Sequence, residues 1–309
     1  MRIIFMGTPE AAVPTLRRCL DDGHDVVAVW TQPDRPAGRG NKISSPPVKE
    51  FALSRGLTVH QPAKIRTQEA QALFASHQAD LAVVVAYGRI LPPSLLSAPA
   101  KGCINVHFSL LPKYRGAAPV NWAIVRGESL TGVTTMQMDE GLDTGPILQQ
   151  RETKVGASET APELMRRLAL MGADLLGETL AHLDQIEPRR QREEDATFAP
   201  ALRREDGLIN WSRDAFEIER CVRGFQPWPN AYTRYQSQRL IIWRAQAARA
   251  DQSSGEEGLI VEARGDHLAA VCGDQTVLRL LEVQPEGKRR MSARDFLNGA
   301  HVRAGERFG

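Results

Sequence analysis

The chain is 309 residues long, 42% hydrophobic and 25% charged, with a formal net charge of +2. This is ordinary globular chemistry, on a chain long enough for a sizeable core shared between two domains. The charge is too mild for a generic nucleic-acid coat, so contacts with a polyanion have to come from local basic patches.

At the amino terminus "RIIFM" (2–6) predicts a short buried strand. Thr8 is placed to cap a helix whose first turn holds Pro9 and whose apolar positions Val13, Leu16 and Leu20 run to a stop at Gly23. "DVVAVWT" (25–31) supplies a second strand. "LTVH" (57–60), "LAVVVAY" (81–87), "CINVHF" (103–108) and "GVTTMQM" (132–138) then alternate with segments that can form helices. That alternation predicts a parallel α/β sheet, with the unbroken apolar run at 81–87 as a central strand buried on both faces. Leu164, Leu168, Met171, Leu175 and Leu183 recur at helical spacing behind a Thr160–Glu163 capping box, a helix that closes the first domain.

The stretch "PRRQREEDATFAP" (188–200) is dense in charge and nearly free of large apolar residues, the composition of a connector. Beyond it, "AYTRY", "RLIIWRA", "GLIVEA", "LAAVC" and "TVLRLLEVQ" predict a small antiparallel sandwich or barrel. The expected domains are therefore 1–188 and 206–309, joined by 189–205. The cysteines Cys19, Cys103, Cys221 and Cys272 lie far apart, with no zinc-type pairing. "MRIIFMGTPE" lacks the apolar core of a signal peptide, and the longest greasy run is too short to span a bilayer. A soluble protein of the reducing cytoplasm is expected, without a membrane partner.

In a strand, residues two apart share a face, so Asn105 and His107 point together. At a carboxyl strand end that face looks into the crevice where open α/β sheets bind ligands. Alone, the pair reads equally well as a satisfied core imidazole beside a strand-end amide. Asp139 and Asp143, set among Gly141 and Gly145, read alone as turn chemistry. Taken together, Asn105, His107 and an aspartate from the neighbouring strand-end loop can stabilise an oxyanion and accept a proton. The set suits acyl transfer to a substrate amine. Ser109 has no G-x-S-x-G elbow around it, which argues against a serine hydrolase. "MGTPE" has one glycine where a dinucleotide fold wants three, and no Walker A sequence is present. The segment "TQPDRPAGRGNKISSPPVK" (31–49) is long for a strand-to-helix connection and sets Arg35, Arg39, Lys42 and Lys49 against Asp34 alone. That composition suits phosphate contacts.

Through "RIIFMGTPE", "TQPDRPAGRG", "VVVAYGRILP", "CINVHFSLLPKYRGAAPVNWAI", "TGVTTMQMDEGLDTGPIL", "CVRGFQPWPNAY" and "MSARDFL", the chain resembles the folate-dependent formyltransferases over essentially its whole length. The basic loop and the carboxyl-terminal module place the resemblance in the tRNA-acting branch. It implies an α/β fold: a Rossmann-like, mostly parallel-sheet formyltransferase domain followed by a small OB-like β-barrel that binds tRNA. It also implies that the formyl group of 10-formyltetrahydrofolate passes to the amino group of initiator methionyl-tRNA, for translation initiation and without a metal. Asn105, His107 and Asp143 are the implied catalytic residues, the first two holding the oxyanion and the third orienting the imidazole and relaying protons. Ser109, Leu110, Leu111 and Pro112 are the implied folate residues, and the loop residues Arg39 and Lys42 the implied tRNA contacts.

On the carboxyl-terminal module, Arg203, Arg204, Lys288, Arg289 and Arg290 are candidate phosphate contacts, whereas Trp211, Trp228 and Trp243 are expected in the core. Phe108 stands where the family has Gly or Pro, and its ring is expected to pack on the face opposite His107. A monomer is the simplest expectation. A small amine, such as an amino sugar nucleotide or a purine precursor, is the alternative acceptor within the same chemistry, and hydrolysis of the formyl folate a further outcome. A non-catalytic RNA-binding protein is the alternative from another class.

Overall fold

The computed structural model describes residues 1–37, 42–249 and 255–309. In chain order the elements are β1 (Arg2–Gly7), α1 (Val13–Asp21), β2 (Asp25–Trp30), β3 (Arg35–Ala37), β4 (Lys42–Ser44), α2 (Pro47–Ser54), β5 (Val59–His60), α3 (Gln68–Ser76), β6 (Leu81–Val85), α4 (Pro93–Leu96), β7 (Cys103–His107), α5 (Pro119–Val125), β8 (Leu130–Gln137), β9 (Ile147–Lys154), α6 (Ala161–Ala181), α7 (Ala215–Gly224), β10 (Tyr232–Tyr235), β11 (Gln238–Arg249), β12 (Ile260–Arg264), β13 (His267–Cys272), β14 (Thr276–Pro285), β15 (Met291–Ser292) and α8 (Ala293–Ala300). Two compact units result. The first comprises Met1–Pro119, Leu130–Lys154 and Met165–Pro200, and the second Val120–Ser129, Val155–Leu164 and Ala201–Gly309.

The first unit holds a seven-stranded sheet in the order β5-β2-β1-β6-β7-β8-β9. Strands β5, β2, β1, β6 and β7 pair in parallel, while β8 and β9 add to the edge as an antiparallel hairpin. Strand β9 had no signal in the sequence pattern. As the edge strand it is mostly half-exposed, so its apolar alternation is weak. Every residue of β6 is buried, as its apolar run requires. One face of the sheet buries Met6, Trp30, Phe74, Val84 and Leu95 in a common core.

Against β7 and β8, helix α6 approaches so closely at Gly172 that a Cβ there would sit 2.8 Å from Val106 Cγ1 and 3.5 Å from Phe108 Cε1. The Phe108 ring thus reaches the helix on the same side as Val106, away from His107. It is 5% exposed and also borders the cavity described below.

Thr8 does not cap a helix. A short 3-10 turn, Glu10–Ala12, intervenes, and α1 starts behind Ala12 with no side-chain cap and Pro14 in its first turn. The Thr8 hydroxyl instead donates to the Tyr87 carbonyl at 3.1 Å and accepts the Gln32 N–H at 3.4 Å, tying the carboxyl ends of neighbouring strands together. Of the loop cations, Lys49 is committed to Asp34 at 2.7 Å, and Gln61 donates to the same carboxylate at 2.7 Å. These bonds hold the Asp34 carboxyl below its ordinary range, the Gln61 bond most.

The charged segment 188–200 belongs to the first unit up to Pro200. Arg189 bridges to Ile147, and Phe198 to Arg115. Its attachment is made of backbone pairing and polar side chains, which composition does not reveal.

The second unit is built on an antiparallel sheet in the order β10-β11-β14-β13-β12, with β15 pairing β14. Helices α7 and α8 start at Asp214 and Ser292, whose side chains accept the N–H of Glu217 and Asp295. The core includes Ile218, Val222, Leu240, Leu278, Phe296 and Phe308. Trp211 is buried there, stacked on Phe308, and Trp243 is half-buried. Trp228 departs from the expectation of burial. Set between Pro227 and Pro229 in the turn after α7, it has no strand face to aim it inward and is 54% exposed. Arg203, Arg204, Lys288, Arg289 and Arg290 are all exposed, and Arg290 is paired with Glu282. Among the described residues, no helix is long and apolar enough to cross a membrane.

Candidate active site

Strand β7 is buried along its length, pairing β6 on one side and β8 on the other. Asn105 lies opposite Val84 and Met136, and His107 opposite Thr134. Two such neighbours fix the strand's register and hence the face on which both polar side chains emerge. That face is the carboxyl end of the parallel strands, beside the outermost parallel pair.

Asp143 reaches the same point from the β8–β9 hairpin. Its Oδ1 accepts from Asn105 Nδ2 at 3.4 Å, and its Oδ2 lies 3.7 Å from His107 Nδ1. Oδ2 also accepts the Gly116 N–H at 2.8 Å, a neutral donor that anchors the carboxylate between amide and imidazole. His107 Nε2 donates to the Tyr114 carbonyl at 2.9 Å. A carbonyl can only accept, so the proton on Nε2 is fixed and the Nδ1 edge is left facing Asp143. The three polar side chains are 9%, 6% and 15% exposed for Asn105, His107 and Asp143 respectively.

The hairpin loop is organised by the other aspartate. Asp139 Oδ1 accepts from the Gly141 N–H at 3.0 Å and from Thr144 Oγ1 at 2.7 Å, so Asp139 does turn chemistry while Asp143 faces the site. Gly145 is required by close approach, because a Cβ there would lie 1.8 Å from the Gln137 carbonyl oxygen.

A cavity of about 450 Å³ opens beside the cluster. Asn105, His107 and Asp143 border it, together with the 86–91 stretch and Met136, Met138 and Leu142. Its size and mixed lining are those of a small-molecule site. Ile90 and Leu142 are exposed large apolar side chains on its border. Tyr87, another lining residue, carries a buried hydroxyl with no hydrogen-bond partner among the described residues, and burial pushes its pKa up to about 12.

Ser109, Leu110, Leu111 and Pro112 do not line this cavity. They form the turn behind it. The Thr134 hydroxyl donates to the Ser109 carbonyl at 2.6 Å and accepts the Leu111 N–H at 3.1 Å, and Gln150 donates to the Leu111 carbonyl at 2.8 Å. The Leu111–Pro112 peptide is cis. Ser109 is fully buried with its hydroxyl donated to the Lys113 carbonyl at 2.6 Å, which removes it as a nucleophile. Arg39 lies outside the described residues, and Lys42 opens β4, which pairs with β3. The sequence reading missed the lining at 86–91 and 136–142. Both stretches lie within motifs that carry the resemblance, "VVVAYGRILP" and "TGVTTMQMDEGLDTGPIL", without a binding role having been given to them.

Residues 1–180 match the formyl transferase family and residues 201–301 the formyl transferase C-terminal domain. Over its whole length the chain is 48% identical to the methionyl-tRNA formyltransferase of Geobacter metallireducens, covering 99% of that protein. It is 46% identical to that of Caldanaerobacter subterraneus, covering 99% of both. Among solved structures it is similar to the methionyl-tRNA formyltransferase from Clostridium thermocellum (TM-score 0.57, 20% identity, 80% of this chain and 93% of that one). It is also similar to an N-formyltransferase from Helicobacter canadensis solved with folinic acid and dTDP-3-aminofucose (TM-score 0.66, 18% identity, 92% and 99%). At such identities the structural likenesses speak for the fold.

Proposed function

The chain belongs to the formyl transferase family, among the methionyl-tRNA formyltransferases, and from that premise we propose that Asn105, His107 and Asp143 are its catalytic residues. It transfers a formyl group from formyl-tetrahydrofolate to methionyl-tRNA. The observation that carries the assignment is the meeting of the three side chains, two from strand β7 and one from the β8–β9 loop, on the border of one cavity.

The cavity fits a flat heterocycle bearing hydrogen-bonding groups: apolar side chains flank it beside the polar groups of Asn105, His107 and Asp143. The 86–91 stretch, Met138 and Leu142 are the residues to hold 10-formyltetrahydrofolate. Ser109 to Pro112 then support the donor site from behind by shaping the loop that carries Tyr114. The donor supplies an activated one-carbon unit at the acyl level. Asn105 Nδ2, with one hydrogen toward Asp143, has its second available to a developing oxyanion. His107 Nδ1 takes up the proton lost by the attacking amine and passes it to the donor nitrogen as that nitrogen's bond to the formyl carbon breaks and tetrahydrofolate leaves, and Asp143 Oδ2 stands 3.7 Å away to balance the charge while it does so. The imidazole is oriented by the Tyr114 carbonyl, so Asp143 is free to act on the proton.

The amine selected is that of initiator methionyl-tRNA, met by the 31–49 loop through Arg39 and Lys42 and by the basic carboxyl-terminal module. Every group of the cluster comes from one unit of one chain, which supports action as a monomer. Four free, buried or half-buried cysteines support a reducing cytoplasm. The test is formyl transfer from 10-formyltetrahydrofolate to methionyl initiator tRNA, with methionyl elongator tRNA and free methionine in parallel. Transfer to the initiator alone is expected. Release of tetrahydrofolate with no formylated acceptor would instead establish a hydrolase.

A further inference from the structure

The two loops that complete the site are bound to a third segment, 188–200, whose composition suggested a mere connector. Arg189 and Ile147 exchange both backbone hydrogen bonds at 2.8 Å, at the foot of the hairpin that carries Asp143. Two residues on, Gln191 Nε2 donates to the Asp143 carbonyl at 2.7 Å and to the Gly145 carbonyl at 2.8 Å. An amide nitrogen has two hydrogens, and both are committed to the backbone of this loop. Gln191 Oε1 in turn accepts from Arg115 Nε at 3.1 Å, and the rest of that guanidinium is bidentate to Glu193 at 2.9 Å on each arm. Arg115 is 2% exposed, so its fork is fixed and it fixes which end of Gln191 faces the loop.

The same segment grips the other loop. Thr197 Oγ1 accepts the Tyr114 N–H at 2.9 Å, and the Thr197 carbonyl accepts the Arg115 N–H at 2.9 Å. Tyr114 and Asp143 both have left-handed backbones, with φ of 62° and 55°. Residues with a Cβ hold that conformation only where their surroundings impose it. Bonds from Gln191 and Thr197 fall on the Asp143 carbonyl, the Gly145 carbonyl, the Tyr114 N–H and the Arg115 N–H, main-chain groups in loops outside the helices and strands.

We propose that Gln191, oriented by Arg115, is a positioning residue for formyl transfer. It holds the Asp143 main chain so that the carboxylate spans Asn105 and His107. The inference rests on the reading of those three as the catalytic residues. Gln191 is half-buried and acts through Asp143 rather than on substrate.

Gln191→Glu isolates the effect, since it keeps the shape and the acceptor for Arg115 but turns an oxygen on the Asp143 and Gly145 carbonyls. Expected is a fall in kcat of about tenfold to a hundredfold, with KM for methionyl-tRNA and for the formyl donor within about twofold and the thermal midpoint essentially unchanged. In an Asp143→Asn background, the same substitution is expected to lower kcat no further, because its route of action is already lost. Wild-type kcat in Gln191→Glu, losses that multiply in the double variant, or a fall in kcat that only tracks lost stability would each overturn the proposal. An Asp143→Asn variant as active as wild type would overturn the catalytic reading itself, whatever Gln191→Glu does.

Discussion

Strand β7 and the segment 188–200 converge on the same residue, Asp143, by opposite means. The strand is wholly buried, paired on both sides and surrounded by apolar neighbours, so its geometry is over-determined by the sheet. The segment is mostly exposed, rich in charge and without a regular element beyond short turns and bridges, and it is held by a handful of polar bonds. A sheet places the groups that do chemistry to within the tolerance of a hydrogen-bond ladder. A polar strap sets the loop that must come to meet them, at less cost in apolar surface and with less margin. The contrast predicts that substitutions on the strand side abolish turnover or stability, whereas those on the strap side degrade rate.

The sharpest break is His107→Ala or Asn105→Ala. Each is expected to lower kcat by about 10²–10³-fold while methionyl-tRNA binding, followed by filter retention or fluorescence, is kept. Indifference of turnover to both would return the protein to a binding role. Just past the same strand and on the side of Val106, Phe108→Ala removes a ring packed toward Gly172 and is expected to cost about 3 kcal/mol in denaturant unfolding, with the residual folded enzyme within a few-fold of wild-type kcat. A loss of kcat without loss of stability would show instead that Phe108 acts on the cavity it borders.

On the strap, Thr197→Val leaves the Tyr114 N–H without its acceptor and loosens the carbonyl that orients His107. About a threefold to tenfold fall in kcat is expected, with little change in KM. The smallest effect is one of pH. Hydrogen bonds from Arg115 hold the Glu193 carboxyl below its ordinary range. A carboxyl depressed in the folded state supports the fold above its unfolded pKa, about 4.3, and that support fades as pH falls through the lower folded value. Thermal midpoints of wild type and Glu193→Gln should therefore differ slightly near neutrality and converge once the pH has fallen through the lowered folded-state value of Glu193. Parallel curves throughout would show that the pair, whose Glu193 side chain is 73% exposed, contributes nothing.

Much of the site was legible before any coordinates. Residues two apart in an apolar strand had to share a face, and Asn105 and His107 do. Composition did not choose between Asp139 and Asp143; only the family resemblance pointed to Asp143. Both sit among glycines, and the loop's hydrogen bonds assign one to the turn and the other to the site. Thr8 carried the composition of a cap yet bonds across strand ends, and Trp228 carried that of a core residue yet lies in the open, because local patterns do not record which neighbours the tertiary fold supplies. Edge strand β9 escaped for the converse reason: with water on one side and a single paired neighbour, it had little apolar alternation to show.

Periodicity and composition alone determined an α/β sheet unit, a following antiparallel unit and the face on which an amide and an imidazole emerge together, because burial of apolar side chains dictates all three. How Asp143 meets them, which nitrogen of His107 faces it, and that a charged stretch at 188–200 holds the meeting point were decided only by tertiary structure. Those outcomes depend on directional bonds between groups tens of residues apart, and such bonds have no period along a chain.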